Sequence, residues 1–290
     1  MRKARLTGKS IETGTMVEFL LLEYDKTCNE WKTIVQHAKR RKPGSRYEFF
    51  DKNKNIIAEA VITKAQDEFR YIQIKNKIDN KPIDDDFFDK YGHVPLPPYI
   101  KRKDESIDSE RYQTIYADKT GSAAAPTAGL HFTQEILDKL DLFGIERVFI
   151  TLHVGLGTFL PVRTENIIEH KMHKETFFIN EMTAKKIENA KEAGRKIIAI
   201  GTTSVRTLES AWDNNIKKIV QKEGDTSIFI YPGYKFKLVD VIFTNFHTPE
   251  STLLMLVSAF ANKDIILECY TEAVKEQYRF FSYGDAMLIY

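Results

Sequence analysis

The hydrophobic period of the chain changes near residue 90, and that change limits what it can fold into. Between Leu6 and Lys81 the chain reads as short strands at residues 16–22, 31–35, 46–50, 56–62 and 70–74, with apolar and polar-tolerant residues alternating at 31–35. Clusters of Asp, Asn, Lys and Gly separate these runs. A period of two buries one face of each run, and several such strands at close spacing predict a small antiparallel barrel. Residues 84–89 are acidic, and Pro95, Pro97 and Pro98 follow within a few positions. Proline fixes φ and biases the residue before it, so residues 91–100 are expected to be an extended connector. The expected division is a β-barrel domain at 6–90 and a second domain at 91–290.

Beyond the connector the pattern lengthens. Thr133 is placed to cap a helix over 134–142, and Asn180 to cap one over 181–193 that stops at Gly194. Residues 147–154 and 196–200 are nearly continuous apolar runs, as in a sheet covered on both faces. Helices are expected over 204–212 and 249–261, and a strand over 239–246. Strands alternating with helices predict an α/β domain, larger than the barrel.

Composition excludes some classes. The chain has 290 residues, is 42% hydrophobic and carries a formal charge of +2. Its two cysteines, Cys28 and Cys269, make neither a disulfide framework nor a cysteine zinc site. The start is basic but has no apolar run behind it, and the run at 253–261 is too short to span a bilayer. The expectation is a cytoplasmic protein with no membrane contact. Residues 1–50 hold eleven Lys/Arg against six Asp/Glu, which concentrates positive potential on the small domain.

Five motifs stand out, each with a plainer reading. Gly201-Thr202-Thr203-Ser204-Val205-Arg206 lies between a buried strand and a helix, where free N–H groups and hydroxyls suit an anion and Arg206 can fork onto a carboxylate. The alternative is an ordinary cap with Arg206 paired to Glu209. In His153-Val154-Gly155-Leu156-Gly157, a strand runs into Gly155 and Gly157, but the third glycine of a dinucleotide fingerprint is missing. A ligand approaching the glycine backbone, or a core histidine, remains. His170-Lys171-Met172-His173 is too short a signal for a metal, and none is expected. Asn245-Phe246-His247-Thr248-Pro249-Glu250 opens a helix at a strand end, with Thr248 as its expected cap. There His247 and Glu250 would project from the sheet edge where open α/β folds bind ligands. Lys39-Arg40-Arg41-Lys42 is expected at a hairpin tip of the barrel, as a phosphate-contacting patch or a solvated face.

Taken in order, longer segments add to these. They include Val94-Pro95-Leu96-Pro97-Pro98-Tyr99-Ile100, Ala125-Pro126-Thr127-Ala128-Gly129-Leu130-His131-Phe132-Thr133 and His153-Val154-Gly155-x-Gly157-Thr158-Phe159. His170-x-Met172-His173, Gly201-Thr202-Thr203-x-x-Arg206, Thr244-Asn245-Phe246-His247 and Tyr278-Arg279-Phe280-x-Ser282-Tyr283-Gly284-Asp285 complete the series. Across nearly its whole length the chain resembles the S-adenosylmethionine:tRNA ribosyltransferase-isomerase family of queuosine biosynthesis.

The resemblance implies an α/β domain with an inserted barrel. It also implies transfer and isomerisation of the ribosyl moiety of S-adenosylmethionine onto 7-aminomethyl-7-deazaguanine in tRNA, giving epoxyqueuosine-tRNA, adenine and methionine. S-adenosylmethionine is then a consumed co-substrate, tRNA the partner, and the protein a monomer. Such chemistry needs a base, an acid for adenine and exclusion of water. His131, His153, His173, His247 and Glu250 are the candidates for acid–base roles. Gly155, Gly157, Thr202, Thr203, Arg206 and Asn245 are those for S-adenosylmethionine, and Lys39, Arg40, Arg41 and Lys42 those for tRNA. The competing classes are a non-catalytic RNA-binding protein and a methyltransferase. In the family, a segment ending in Asn-Asp-Thr precedes the Ala4-Arg5-Leu6 match, where this chain begins. That segment is expected to supply strands and a helix, which makes a truncated, poorly active form the further alternative.

Overall fold

The structure is a computed structural model that describes residues 1–97, 99–122, 124–153, 172, 174–249 and 251–290. The chain divides into two compact units, Met1–Glu110 with Thr120–Ala124, and Arg111–Lys119 with Ala125–Tyr290.

The first unit is built on six antiparallel strands: β1 (Arg5–Ser10), β2 (Met16–Asp25), β3 (Glu30–Val35), β4 (Arg46–Phe50), β5 (Ile56–Gln66) and β6 (Phe69–Asn76). They close in the order β1-β2-β3-β6-β5-β4. Every second residue of β3 is buried, the pattern its sequence predicts. Leu6, Val17, Phe19, Leu21, Tyr47, Phe49, Ile62 and Ile72 fill the interior. The Phe19 ring meets the edges of Tyr47 at 4.8 Å and Phe49 at 5.3 Å. Register shifts at Leu21/Glu23, Phe49/Phe50 and Ile62/Lys64 bend the strands, as closure of so small a barrel requires.

One local expectation for this unit is corrected, and one helix is added to it. The basic run is not a hairpin tip, because β3 and β4 are not neighbours. Ala38–Arg40 forms a 3-10 turn within a crossover that passes β6, where the buried Arg70 side chain donates to the carbonyls of Ala38 and Arg41. The acidic stretch ahead of the prolines, for which no element was expected, is helical. It forms helix α1 (Asp85–Tyr91), with the Asp84 carboxylate accepting from Phe87 N and with Phe87 and Phe88 buried. The short helix α2 (Asp108–Arg111) follows.

The second unit holds α3 (Gln134–Leu142), β7 (Thr151–His153), β8 (Glu175–Phe178), α4 (Glu181–Glu192), β9 (Ile198–Ile200) and α5 (Thr202–Ala211). The pair β10 (Trp212–Asp213) and β11 (Lys218–Ile219) comes next, then β12 (Glu223–Thr226), β13 (Val241–Asn245), α6 (Thr252–Ala261), α7 (Lys263–Lys275) and β14 (Ala286–Ile289). The Thr133 and Asn180 caps form as predicted. One sheet runs β12-β8-β7, and another β14-β13-β9 with β9 parallel to β13. Phe177, Ile179, Val205, Leu208, Leu238, Ile242, Leu256 and Val257 form the core around them.

Here too the structure departs from the periodicity. The expected strand at 147–154 is formed at Thr151–His153, with the residues from 154 to 171 outside those described. Val148 and Phe149 instead line a largely apolar cleft of about 540 Å³, together with Leu137 and Leu140 of α3, Ile187 of α4 and Ile198 of β9. Among the described residues β9 pairs with β13 alone, so its other edge faces this cleft. Helix α6 starts at Thr252 instead of 249, because Ser251 caps it, its Oγ accepting from Leu254 N at 3.2 Å.

Candidate active site

The parallel pair β9 and β13 ends in two of the motifs. After β9, Gly201 adopts φ +86°, a conformation side-chain-bearing residues rarely take, and donates its N–H to Phe243 O of β13 at 2.8 Å. Helix α5 begins at the next residue with no side-chain cap, which leaves N–H groups at its start. Thr202 is buried and Thr203 half-buried there.

At the end of β13, Thr244 and Asn245 are both buried. Successive residues of a strand point to opposite faces, so they carry different partners. On one face Asn245 Nδ2 lies 3.0 Å from His131 Nε2 and donates to Phe281 O at 3.2 Å. Phe243, on that same face, meets the His131 ring edge-on at 5.6 Å. On the other face Thr244 Oγ1 lies 3.2 Å from His247 Nε2. The strand end thus gathers His131, Asn245 and His247, with the two histidines bonded on opposite faces.

Burial lowers the affinity of both imidazoles for a proton. It brings His247 down to about 4. His131 is lowered chiefly by burial, while Asp285 raises it and Arg279 lowers it further. The segment holding those two charges is tied to β13: Phe246 N donates to Asp285 O, and Phe281 N to Phe246 O. Asp285 and Arg279 pair at 2.9 Å. Gly284 allows this tight return, since a Cβ there would lie 2.4 Å from Arg279 O.

Arg206 is not paired to Glu209, the plainer of its two sequence readings. Its Nη1 donates to Glu175 Oε2 at 2.6 Å, and both side chains are almost wholly buried. Its Nε donates to Ile228 O, and its Nη2 has no partner among the described residues. Burial lowers its pKa and Glu175 opposes that. Glu209 is engaged elsewhere, accepting from Tyr234 Oη and from the N–H groups of Lys237, Leu238 and Val239. Glu175 was visible in the sequence only as an acid beside His173, with nothing to show that it faces Arg206.

His153 lies on β7, half-buried and opposite Thr176. His173, Glu250, Gly155 and Gly157 lie outside the described residues. Lys39, Arg40 and Lys42 are exposed and Arg41 half-buried on the barrel crossover. Among the described residues there is no group of three or more His, Cys, Asp or Glu placed to hold a metal, and no helix long and apolar enough to cross a membrane.

Residues 1–289 match the model of a family described as queuosine biosynthesis proteins. The S-adenosylmethionine:tRNA ribosyltransferase-isomerase of Treponema denticola is 55% identical over 291 residues, covering 100% of this chain and 82% of that protein. The chain belongs to this family. The enzyme of the same name from Clostridioides difficile is 51% identical, covering 99% of this chain and 81% of its own length. A solved S-adenosylmethionine tRNA ribosyltransferase from Thermotoga maritima is 33% identical over 99% of this chain and 78% of its own, with a TM-score of 0.46.

Proposed function

We propose that the chain transfers and isomerises the ribosyl moiety of S-adenosylmethionine onto 7-aminomethyl-7-deazaguanine in tRNA, releasing adenine and methionine. The observation that supports it most is the full-length membership of the ribosyltransferase-isomerase family. The gathering of His131, Asn245 and His247 at one strand end adds a physical site.

The sulfonium of S-adenosylmethionine acidifies the methylene between sulfur and ribose. A base removes that proton and the ring C–O bond breaks, leaving a vinyl sulfonium. The freed oxygen becomes an aldehyde as the C–N bond to adenine breaks. The tRNA amine adds to the alkene, the ylide carbon so formed attacks the aldehyde, and the resulting alkoxide displaces methionine to close the epoxide. Buried imidazoles suit this work, because near neutral pH they are unprotonated and able to take or share a proton. His131, His153, His173, His247 and Glu250 are assigned to the acid–base steps. Thr202, Thr203, Asn245, Gly155 and Gly157 are assigned to holding S-adenosylmethionine. Arg206 joins them through Nη2, since Glu175 already balances its charge. The exposed side chains of the Lys39–Lys42 run are assigned to tRNA phosphates, on a crossover that Arg70 holds in place. The reaction is placed in the cytoplasm, with tRNA as partner, one chain per site and no metal.

Incubation with labelled S-adenosylmethionine and precursor tRNA tests the reading. Release of adenine and methionine together is expected. S-adenosylhomocysteine would indicate a methyltransferase, and no turnover with tRNA still bound would indicate an RNA-binding protein.

A further inference from the structure

Asn245 and His131 lie 114 positions apart and meet at the buried end of β13. The chemistry of their contact is determined by a third atom. Phe281 O is a carbonyl oxygen and can only accept, so the Asn245 atom 3.2 Å from it is the amide nitrogen Nδ2. With Oδ1 there instead, two oxygens would face each other. Nδ2 carries two hydrogens and no available lone pair. One hydrogen goes to Phe281 O, and the other points to His131 Nε2 at 3.0 Å. An N–H facing a ring nitrogen is favourable only if that nitrogen holds a lone pair.

We infer that Asn245 is a positioning residue that fixes His131 as the neutral tautomer with its proton on Nδ1, so that His131 serves the ribosyl transfer as a hydrogen-bond donor and not as the base. The inference rests on the proposed reaction for its second half; the tautomer follows from the contact alone. The Nε2 lone pair is engaged by Asn245, and Nδ1–H is what the ring has left to offer a substrate acceptor. The proton-abstracting role then falls to a group other than His131.

The surroundings of the ring agree. Phe243 covers it edge-on from β13. The charged groups that act on it are Asp285 and Arg279, which are paired with each other at 2.9 Å and act in opposite directions. Protonation of Nε2 would set N–H against N–H, and burial already disfavours the imidazolium.

The contact reverses if Asn245 is replaced by an acceptor. In Asn245→Asp a carboxylate faces Nε2 and draws a proton onto it. Asn245→Ala removes the preference.

The test is nitrogen-15 NMR of the labelled histidine ring in the full chain, assigned by loss of the signal in His131→Gln. Wild type is expected to show a protonated Nδ1 and an unprotonated Nε2, Asn245→Ala a mixture, and Asn245→Asp a protonated Nε2. Because Nδ1–H survives protonation of Nε2, the acid limb of adenine release is expected to stay in place in Asn245→Asp while the rate at alkaline pH falls; an acid limb moved to higher pH would show His131 to be the base and overturn the donor role. A protonated Nε2 in wild type would overturn the inference, as would an unchanged tautomer in both variants. If the tautomers are as stated but wild type releases no adenine, the proposed reaction fails while the positioning stands.

Discussion

The barrel and the sheet β14-β13-β9 solve the same problem in opposite ways. The barrel closes β4 onto β1, so each of its strands has two neighbours and its aromatic interior is sealed. In the other sheet, β9 has no second neighbour among the described residues and runs beside an apolar cleft, and β13 ends at the half-satisfied Asn245. Among the described residues, buried Asn245 Oδ1 at that strand end lacks a partner, as do Arg206 Nη2 and Thr207 Oγ1 on α5 and Trp212 Nε1, whereas no such atom is found on any barrel strand. Leaving such groups buried costs stability, and they are tolerated most readily where a ligand completes them. The contrast supports the proposed division between a sealed barrel, with no unsatisfied buried polar atom on its strands, and an open sheet whose end is offered as the reacting site.

The largest expected effects test the stability side. Phe19→Ala removes a ring packed between Tyr47 and Phe49 and is expected to cost about 3–5 kcal/mol, read from the urea midpoint. Adenine release per folded molecule should stay near wild type; a comparable loss of turnover would break the division of labour. Arg206→Ala strands Glu175 without its counter-charge and is expected to cost about 3–5 kcal/mol as well. The double change Arg206→Met with Glu175→Leu should recover most of that stability without recovering S-adenosylmethionine binding. If binding returns with stability, Arg206 is a structural residue only.

A smaller effect is expected from pH. The His247 imidazole titrates near 4 in the folded chain against an ordinary 6.5. Between those values the unfolded chain binds the extra proton, so its contribution to stability is complete above 6.5 and is lost as pH falls toward 4. His247→Gln should flatten that part of the stability profile. An unchanged slope would mean that the ring is not buried as described. The smallest effect on the fold is expected at the crossover. Changing Lys39, Arg40, Arg41 and Lys42 to alanine should leave stability alone and lower the log–log salt slope of tRNA binding by roughly 0.7–0.9 per lost phosphate contact. An unaltered slope reassigns the run to a solvated face.

The same contrast governs what could be read in advance. Five of the six barrel strands were legible because strand patterning is local: the predicted run 46–50 coincides with β4, four others were only extended at their ends, and β1 was not among the predicted runs. The order in which strands pair is not local, so the basic run looked like a hairpin tip instead of a crossover. Helix α1 was missed because charge outweighed its Asp84 cap and its Phe87–Phe88 pair. In the second unit, apolar residues at 147–150 suggested a strand, but Val148 and Phe149 line a cleft. At the candidate site the histidines and Asn245 stood out by type and by place at a strand end. Their pairing did not, because it joins residues more than a hundred positions apart, and neither did the Arg206–Glu175 pair across 31 positions.

The most direct test of the central claim is single-turnover adenine release from His131→Ala and His247→Ala, measured beside tRNA binding. A strand-end active centre predicts rates lower by about 10²–10⁴-fold in both, with tRNA affinity and the barrel's unfolding unchanged. Near-normal rates in both variants would contradict it and place the chemistry elsewhere in the chain.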